Sequence, residues 1–149
     1  EQYQEPYFER SYSVIMLDDN DILLSMARDM YAHYGIHCEI CNNTGDLMEA
    51  IRTNDYDLLI TGDRNMAAER QLIADHDLPD IEALVVGHHG SKSSTSKELL
   101  EALTPETGII SVGDNSYGHP TEDALRRLVL ADVEIYRTDK QGTVHLSVN

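Results

Sequence analysis

Residues 56–63 read Tyr-Asp-Leu-Leu-Ile-Thr-Gly-Asp, YDLLITGD. Tyr56 to Thr61 (YDLLIT) read as a short buried strand closed by Gly62-Asp63. Upstream, Ser13–Leu17 (SVIML) is a second such run. It is followed over residues 21–34 by Leu23, Met26, Ala27, Met30 and Tyr31 at helical spacing, stopped at Gly35. Residues 36–41 alternate, with Ile36, Cys38 and Ile40 on one face, and Thr44 opens a short helix carrying Leu47 and Ile51. Downstream, residues 66–74 are helical and 83–86 (ALVV) form a strand. Thr95-Ser96-Lys97-Glu98 fits a capping box for a helix through Leu103. Residues 108–112 are a strand, and Pro120 starts a helix with Leu125, Leu128 and Val129 as its stripe. Two final runs, 133–137 and 143–148, alternate with period two around Asp139-Lys140-Gln141-Gly142, which predicts a C-terminal β-hairpin. Residues 1–12, EQYQEPYFERSY, read as a tail or linker.

Strands alternating with helices predict one three-layer α/β domain over 13–149, its mostly parallel sheet covered on both faces. Right-handed crossovers then gather the strand-to-helix loops on one rim, at the strands' carboxyl ends. A chain of 149 residues is long enough for such a core. Eleven Lys and Arg against 27 Asp and Glu give a formal net charge of −16, which opposes nonspecific binding to nucleic acid and to acidic membranes. No apolar run approaches the roughly 20 residues of a spanning helix, and no signal peptide is expected. Two cysteines make no disulfide framework, so a reducing cytoplasm is the expected location. Cys38 and Cys41, three apart on a strand, face opposite ways and read as structural thiols. Nothing in the pattern fixes an oligomeric state.

The expected rim carries Asp18-Asp19 after the first strand and Gly62-Asp63 after the third. His88-His89-Gly90-Ser91 follows the fourth, and Gly113-Asp114-Asn115 with Gly118-His119-Pro120 follows the fifth. Carboxylates with imidazoles suit Zn²⁺ or Mn²⁺, and carboxylates alone suit Mg²⁺. The competing readings are structural. Asp18, Asp19 or Asn20 serves equally as a helix cap, and so does Asp63. His119 before proline serves to order a loop, and the glycines serve turns with no ligand.

Residues 14–61 resemble the first half of a response-regulator receiver domain, through VIMLDDNDILLSMARDMYAHYG and YDLLIT. That resemblance implies a flavodoxin-like strand order 2-1-3-4-5 and Mg²⁺ at Asp18 and Asp19. The phosphoacceptor slot reads Gly62, with Asp63 one place later. The hydroxyl residue and the Lys-Pro of later receiver motifs are replaced by Gly87-His88 and Gly113-Asp114. Residues 58–149 resemble the C-terminal half of a ComEC-type metallo-β-lactamase-fold hydrolase, through LLITGD, ALVVGHHGSKSS, LTPETGIISVGDNSYGHP and EIYRTDKQGTVHLSV. This second resemblance implies Asp63 and His89 as metal ligands, with Asp63 and His88 catalytic. Ser91, Asn115 and His119 would then lie beside substrate or behind the ligands. The H-x-H-x-D-H motif of that family is absent. The chain thus reads as a chimera of two half-domains, 13–61 and 58–149, sharing the strand YDLLITGD.

The resulting expectation is a metal-dependent half-site for hydrolysis of a small phosphoester, weak or inactive because most metal ligands are missing. An ion would be shared by Asp63, His89 and Asp18 or Asp19. Two alternatives stand beside it, a receiver-type module accepting a phosphoryl group and an inactive scaffold.

Overall fold

The computed structural model describes residues 13–63, 65–74 and 78–146. The tail expected at 1–12 and the end of the expected last strand fall outside these residues. The elements are β1 (Ser13–Leu17), α1 (Asp21–His33), β2 (His37–Cys41), α2 (Thr44–Thr53), β3 (Leu58–Thr61) and α3 (Met66–Ala74). They continue with β4 (Ala83–Val85), α4 (Lys97–Leu103), β5 (Thr107–Ile110), α5 (Glu122–Leu130), β6 (Glu134–Arg137) and the single turn α6 (Thr138–Gln141). Six strands make one sheet in the order β2-β1-β3-β4-β5-β6, parallel at every pairing. This is a receiver- or flavodoxin-like α/β order extended by one strand.

Register separates the two sheet faces. Ile15, Leu59, Leu84, Gly108 and Ile135 lie side by side in one row. This row meets Leu47 and Met48 of α2, Leu72 of α3, Leu99, Leu100 and Leu103 of α4, and Leu128 of α5. Each fully buried Leu or Ile there contributes about 1.5–3 kcal/mol. A Cβ at Gly108 would lie 3.0 Å from Val133 and 3.5 Å from Leu128, so glycine lets α5 approach the sheet. The opposite face carries Val14, Met16 and Cys38 around Leu24 of α1. Among the described residues α1 is the one helix in that cluster. The cause is crossover handedness. The chain moves one way from β1 to β2 and the other way at every later step, so right-handed connections put α1 on one face and α2 to α5 on the other.

Helices lie on both faces of the sheet, though unequally, and three expectations are corrected. The hairpin does not form among the described residues: β6 pairs parallel to β5, and the segment after it turns helical. Thr138 Oγ1 accepts the Val112 N–H at 2.8 Å and donates to the Val112 carbonyl at 2.8 Å, and Gln141 Oε1 accepts the Arg137 N–H at 2.6 Å. These bonds fix the α6 turn where a hairpin loop was expected, and residues 143–146 are irregular. In α1 the inward residues are Leu24, Ala27 and Tyr31, whereas Leu23, Met26 and Met30 are 44%, 65% and 54% exposed. Finally, α4 is capped by Ser96, whose Oγ accepts the Leu99 N–H, and α5 by Thr121, so Pro120 precedes the cap.

Candidate functional site

β1 ends at Leu17 beside Thr61 of β3, so Asp18 and Gly62 are the next neighbours on the rim. Asp18 is buried, and its Oδ1 accepts the Asn20 N–H at 2.9 Å. A Cβ at Gly62 would collide with the Asp18 carboxylate. Asn20 is the cap of α1, accepting from Ile22 and Leu23 at 3.1 Å each. Asp18 therefore is not the cap, and Asp19 is exposed beside it. Asp63 is likewise exposed, and the helix-start role open to it belongs to Asn65, whose Oδ1 accepts from Ala68.

The next rim segment is strained. His88, His89 and Gly90 have φ of 48°, 53° and 82°. The Ser91 N–H closes onto the His88 carbonyl at 3.0 Å, a turn with left-handed His89 and Gly90 at its centre, and His88 before them is left-handed too. Each left-handed histidine costs roughly 1–2 kcal/mol. The surroundings hold the turn in place. The His88 N–H donates to the Gly62 carbonyl at 3.2 Å, and the Gly87 N–H to Thr95 Oγ1 at 3.0 Å. The Gly90 carbonyl accepts from Thr121 N–H at 3.0 Å, and a Cβ at Gly90 would lie 2.6 Å from Pro120 Cβ.

A second layer anchors the loop after the turn. Glu69 of α3 is 2% exposed, and its two carboxylate oxygens accept the N–H groups of Thr95 at 2.6 Å and Ser96 at 2.8 Å. From α5, Arg127 donates to the carbonyls of Thr95, Lys92 and Ser94 at 3.0, 3.2 and 2.8 Å. Ser91 is buried, with its hydroxyl 3.0 Å from Ser93 Oγ, so it serves the loop itself.

Three imidazoles meet on this frame. His88 lies edge-on to His119 with ring centroids 5.6 Å apart, and 6.4 Å from His89. Tyr117 is edge-on to His119 at 5.7 Å and is 76% exposed. Asn115 organises their loop. Its Oδ1 accepts from Tyr117 N–H at 3.2 Å and His119 N–H at 3.1 Å, and its Nδ2 donates to the carbonyls of Gly113 at 3.0 Å and His119 at 2.8 Å. The His119–Pro120 peptide is cis. His89 Nδ1 lies 2.7 Å from the Ser111 carbonyl. A carbonyl only accepts, so Nδ1 carries a proton, and in the neutral ring Nε2 is the nitrogen with the lone pair. An open cleft of about 430 Å³ lies here, bounded by His89, Asn115, Tyr117, His119, Ser111 and Thr138.

The structure thus brings His88, His89, Asn115 and His119 together, and puts Asp18 against Gly62, whose carbonyl accepts the His88 N–H. It does not assemble the shared ion site. Among the described residues no three His, Cys, Asp or Glu side chains are grouped to hold a metal. Tyr117, Ser111 and Thr138 were not singled out from sequence. Tyr117 was within reach as the residue two before His119 in the SYGHP stretch, whereas Thr138 lies 23 residues downstream of Asn115 with no local signal. Cys38 and Cys41 are free, buried and on opposite sheet faces, as expected. Burial, with Glu39 adding to it, pushes both thiols up to about 11.

No family model matches the chain. It is similar to ComE operon protein 3 of Bacillus subtilis, 37% identical over 105 residues, which cover 68% of this chain and 13% of that protein. It is also similar to Competence protein ComA of Neisseria gonorrhoeae, 36% identical over 94 residues, 61% of this chain and 14% of that protein. Recombination protein 2 of Haemophilus influenzae is 36% identical over 91 residues, 60% of this chain and 11% of that protein. Among solved structures, a CheY-like receiver domain from Methylobacillus flagellatus has a TM-score of 0.45 at 13% identity, covering 64% of this chain and 84% of that one. The signal receiver domain of an HD domain-containing protein from Pseudomonas fluorescens Pf-5 has a TM-score of 0.46 at 12% identity, covering 89% and 76%. Over some two thirds of its length, then, the chain is homologous to a segment of ComEC-related competence proteins, a segment that is 11–14% of those proteins' length.

Proposed function

We propose that the rim at the carboxyl ends of β3, β4 and β5 is a phosphoester-binding half-site of the ComEC type, with slow hydrolysis as its activity. The observation that carries this reading is the His89 orientation. Its Nδ1–H is held by the Ser111 carbonyl at 2.7 Å, so the neutral ring has its lone pair on Nε2, and the residue lines the cleft. An imidazole so fixed takes a proton from an attacking water, a general-base role typically contributing 10²–10⁴-fold. His88 and His119 stand beside it as donors to phosphoryl oxygens, and Asn115 holds the His119 loop in register. An added divalent ion would polarise a phosphoryl oxygen. The residues present do not form a three-ligand site for one, so the substrate's own oxygens would have to complete its coordination.

The receiver alternative is weaker on one observation. The slot for a phosphoacceptor is Gly62, and the Asp18 carboxylate already fills the space a side chain there would need. The deciding experiment is hydrolysis of bis-nitrophenyl phosphate without metal and with Mg²⁺, Mn²⁺ or Zn²⁺. The reading expects slow turnover that falls at least tenfold in His89→Ala and less in Asp63→Asn. Turnover equal in the parent and His89→Ala would refute the rim, and no turnover under any condition would leave the scaffold reading. Acetyl phosphate labelling of Asp63 would favour the receiver.

A further inference from the structure

We propose that the half-covered face of the sheet, beside α1, is a docking groove for an amphipathic helix with basic flanks. Parallel sheets are buried on both faces. Here α2 to α5 cover one face, and α1 alone lies over β2 and β1 on the other. On that second face the row Met16, Ile60, Val85, Ile109 and Tyr136 crosses the sheet without a charge. Past Ile60, among the described residues, no helix lies over it, and Val85, Ile109 and Tyr136 are only half-buried.

The flank of α1 forms the wall of this groove. Side chains advance about 100° per residue, clockwise when viewed from the amino end of the helix. With the sheet at twelve o'clock, the right-handed β1–α1–β2 crossover puts β2 on the right and β3 on the left. Leu24, Ala27 and Tyr31 point up at the sheet. Leu23, Met26 and Met30 then fall on the left, over the open strands. Leu23 at 44%, Met26 at 65% and Met30 at 54% exposure make this an apolar, methionine-rich wall. The floor from β3 to β6 spans three strand spacings, about 14 Å, room for one helix of about 10–12 Å diameter.

Charge selects the occupant. Glu134 stands exposed on the edge strand at the far side of the floor, and the chain carries −16 overall. A second copy would bring another −16 to the same face, whereas lysines or arginines along the flanks of a helix would be attracted to it.

The experiment titrates the full chain with a fluorescein-labelled 18-residue Leu/Lys peptide of helical amphipathic pattern at 0.15 M salt. A control peptide of the same composition has its leucines scattered. Micromolar binding is expected, at least tenfold tighter for the amphipathic peptide. It should weaken at least tenfold in Met26→Glu and in Ile109→Glu, and stay unchanged in Leu130→Glu, which adds the same charge on the other face. Met26 is exposed, so its variant tests the wall even if Ile109→Glu fails to fold by circular dichroism. Equal binding of the two peptides, or equal loss in Leu130→Glu, would overturn the proposal. So would sedimentation showing a dimer dispersed by Met26→Glu, which assigns the face to a second copy, or a tenfold gain on deleting residues 1–12, which assigns it to the tail.

Discussion

At position 62 a side chain and a carboxylate compete for one volume. Gly62→Ala would have to displace the Asp18 carboxylate and break its bond to the Asn20 N–H, so a loss of about 1–3 kcal/mol is expected in urea denaturation. The double variant Gly62→Ala/Asp18→Ala should lose less than the sum of the two single variants, because the clash is gone. The thiols give a second residue-level expectation. Their neutral form is favoured in the fold, so the stability they contribute is whole below an ordinary thiol value of 9.0 and declines as pH rises toward about 11. Urea midpoints at successive pH values across that window should fall more steeply in the parent than in Cys38→Ala/Cys41→Ala. The histidine cluster was legible as residue types on a predicted rim. The difference between a capping Asn20 and a buried Asp18 was not, because it depends on which side chain the neighbouring strand leaves room for.

Among the elements, the loop after β4 owes its shape to α3 and α5 more than to its own sequence. Glu69→Gln puts an amide nitrogen where a carboxylate oxygen faces a backbone N–H, leaving a buried donor unpaired. A cost of about 1–3 kcal/mol is expected from thermal unfolding. His89-dependent turnover should fall with it, since Thr95 also receives the Gly87 N–H at the base of the strained turn. No sequence pattern could have exposed this tie. Glu69 is 26 residues from Thr95, in a helix whose neighbouring polar side chains, Arg70 and Gln71, are exposed. α1 shows a related limit. Its apolar residues occupy more than half the helix circumference, so spacing alone allowed either edge of the arc to face inward, and packing of Leu24 on Val14, Met16 and Cys38 decided it. The expected hairpin fails among the described residues for the opposite reason: the alternation is there, but the Thr138 bridge to Val112 turns the chain into α6 where the hairpin loop is expected.

At the scale of the molecule, strand-helix alternation was enough to give the parallel sheet, and crossover handedness supplies the one-sided placement of helices that alternation does not show. No described helix is long and apolar enough to cross a membrane. The strand order has a further consequence, for synthesis. After β1 and β2 have paired, β3 adds at the free side of β1, and β4, β5 and β6 each add at the edge left by the strand before. No strand is ever inserted between two that have already met. A chain emerging amino end first can therefore lay down its sheet in one direction, closing each new edge with the next unit to appear, and the imidazole rim comes together only when the loop before α5 reaches the turn laid down after β4.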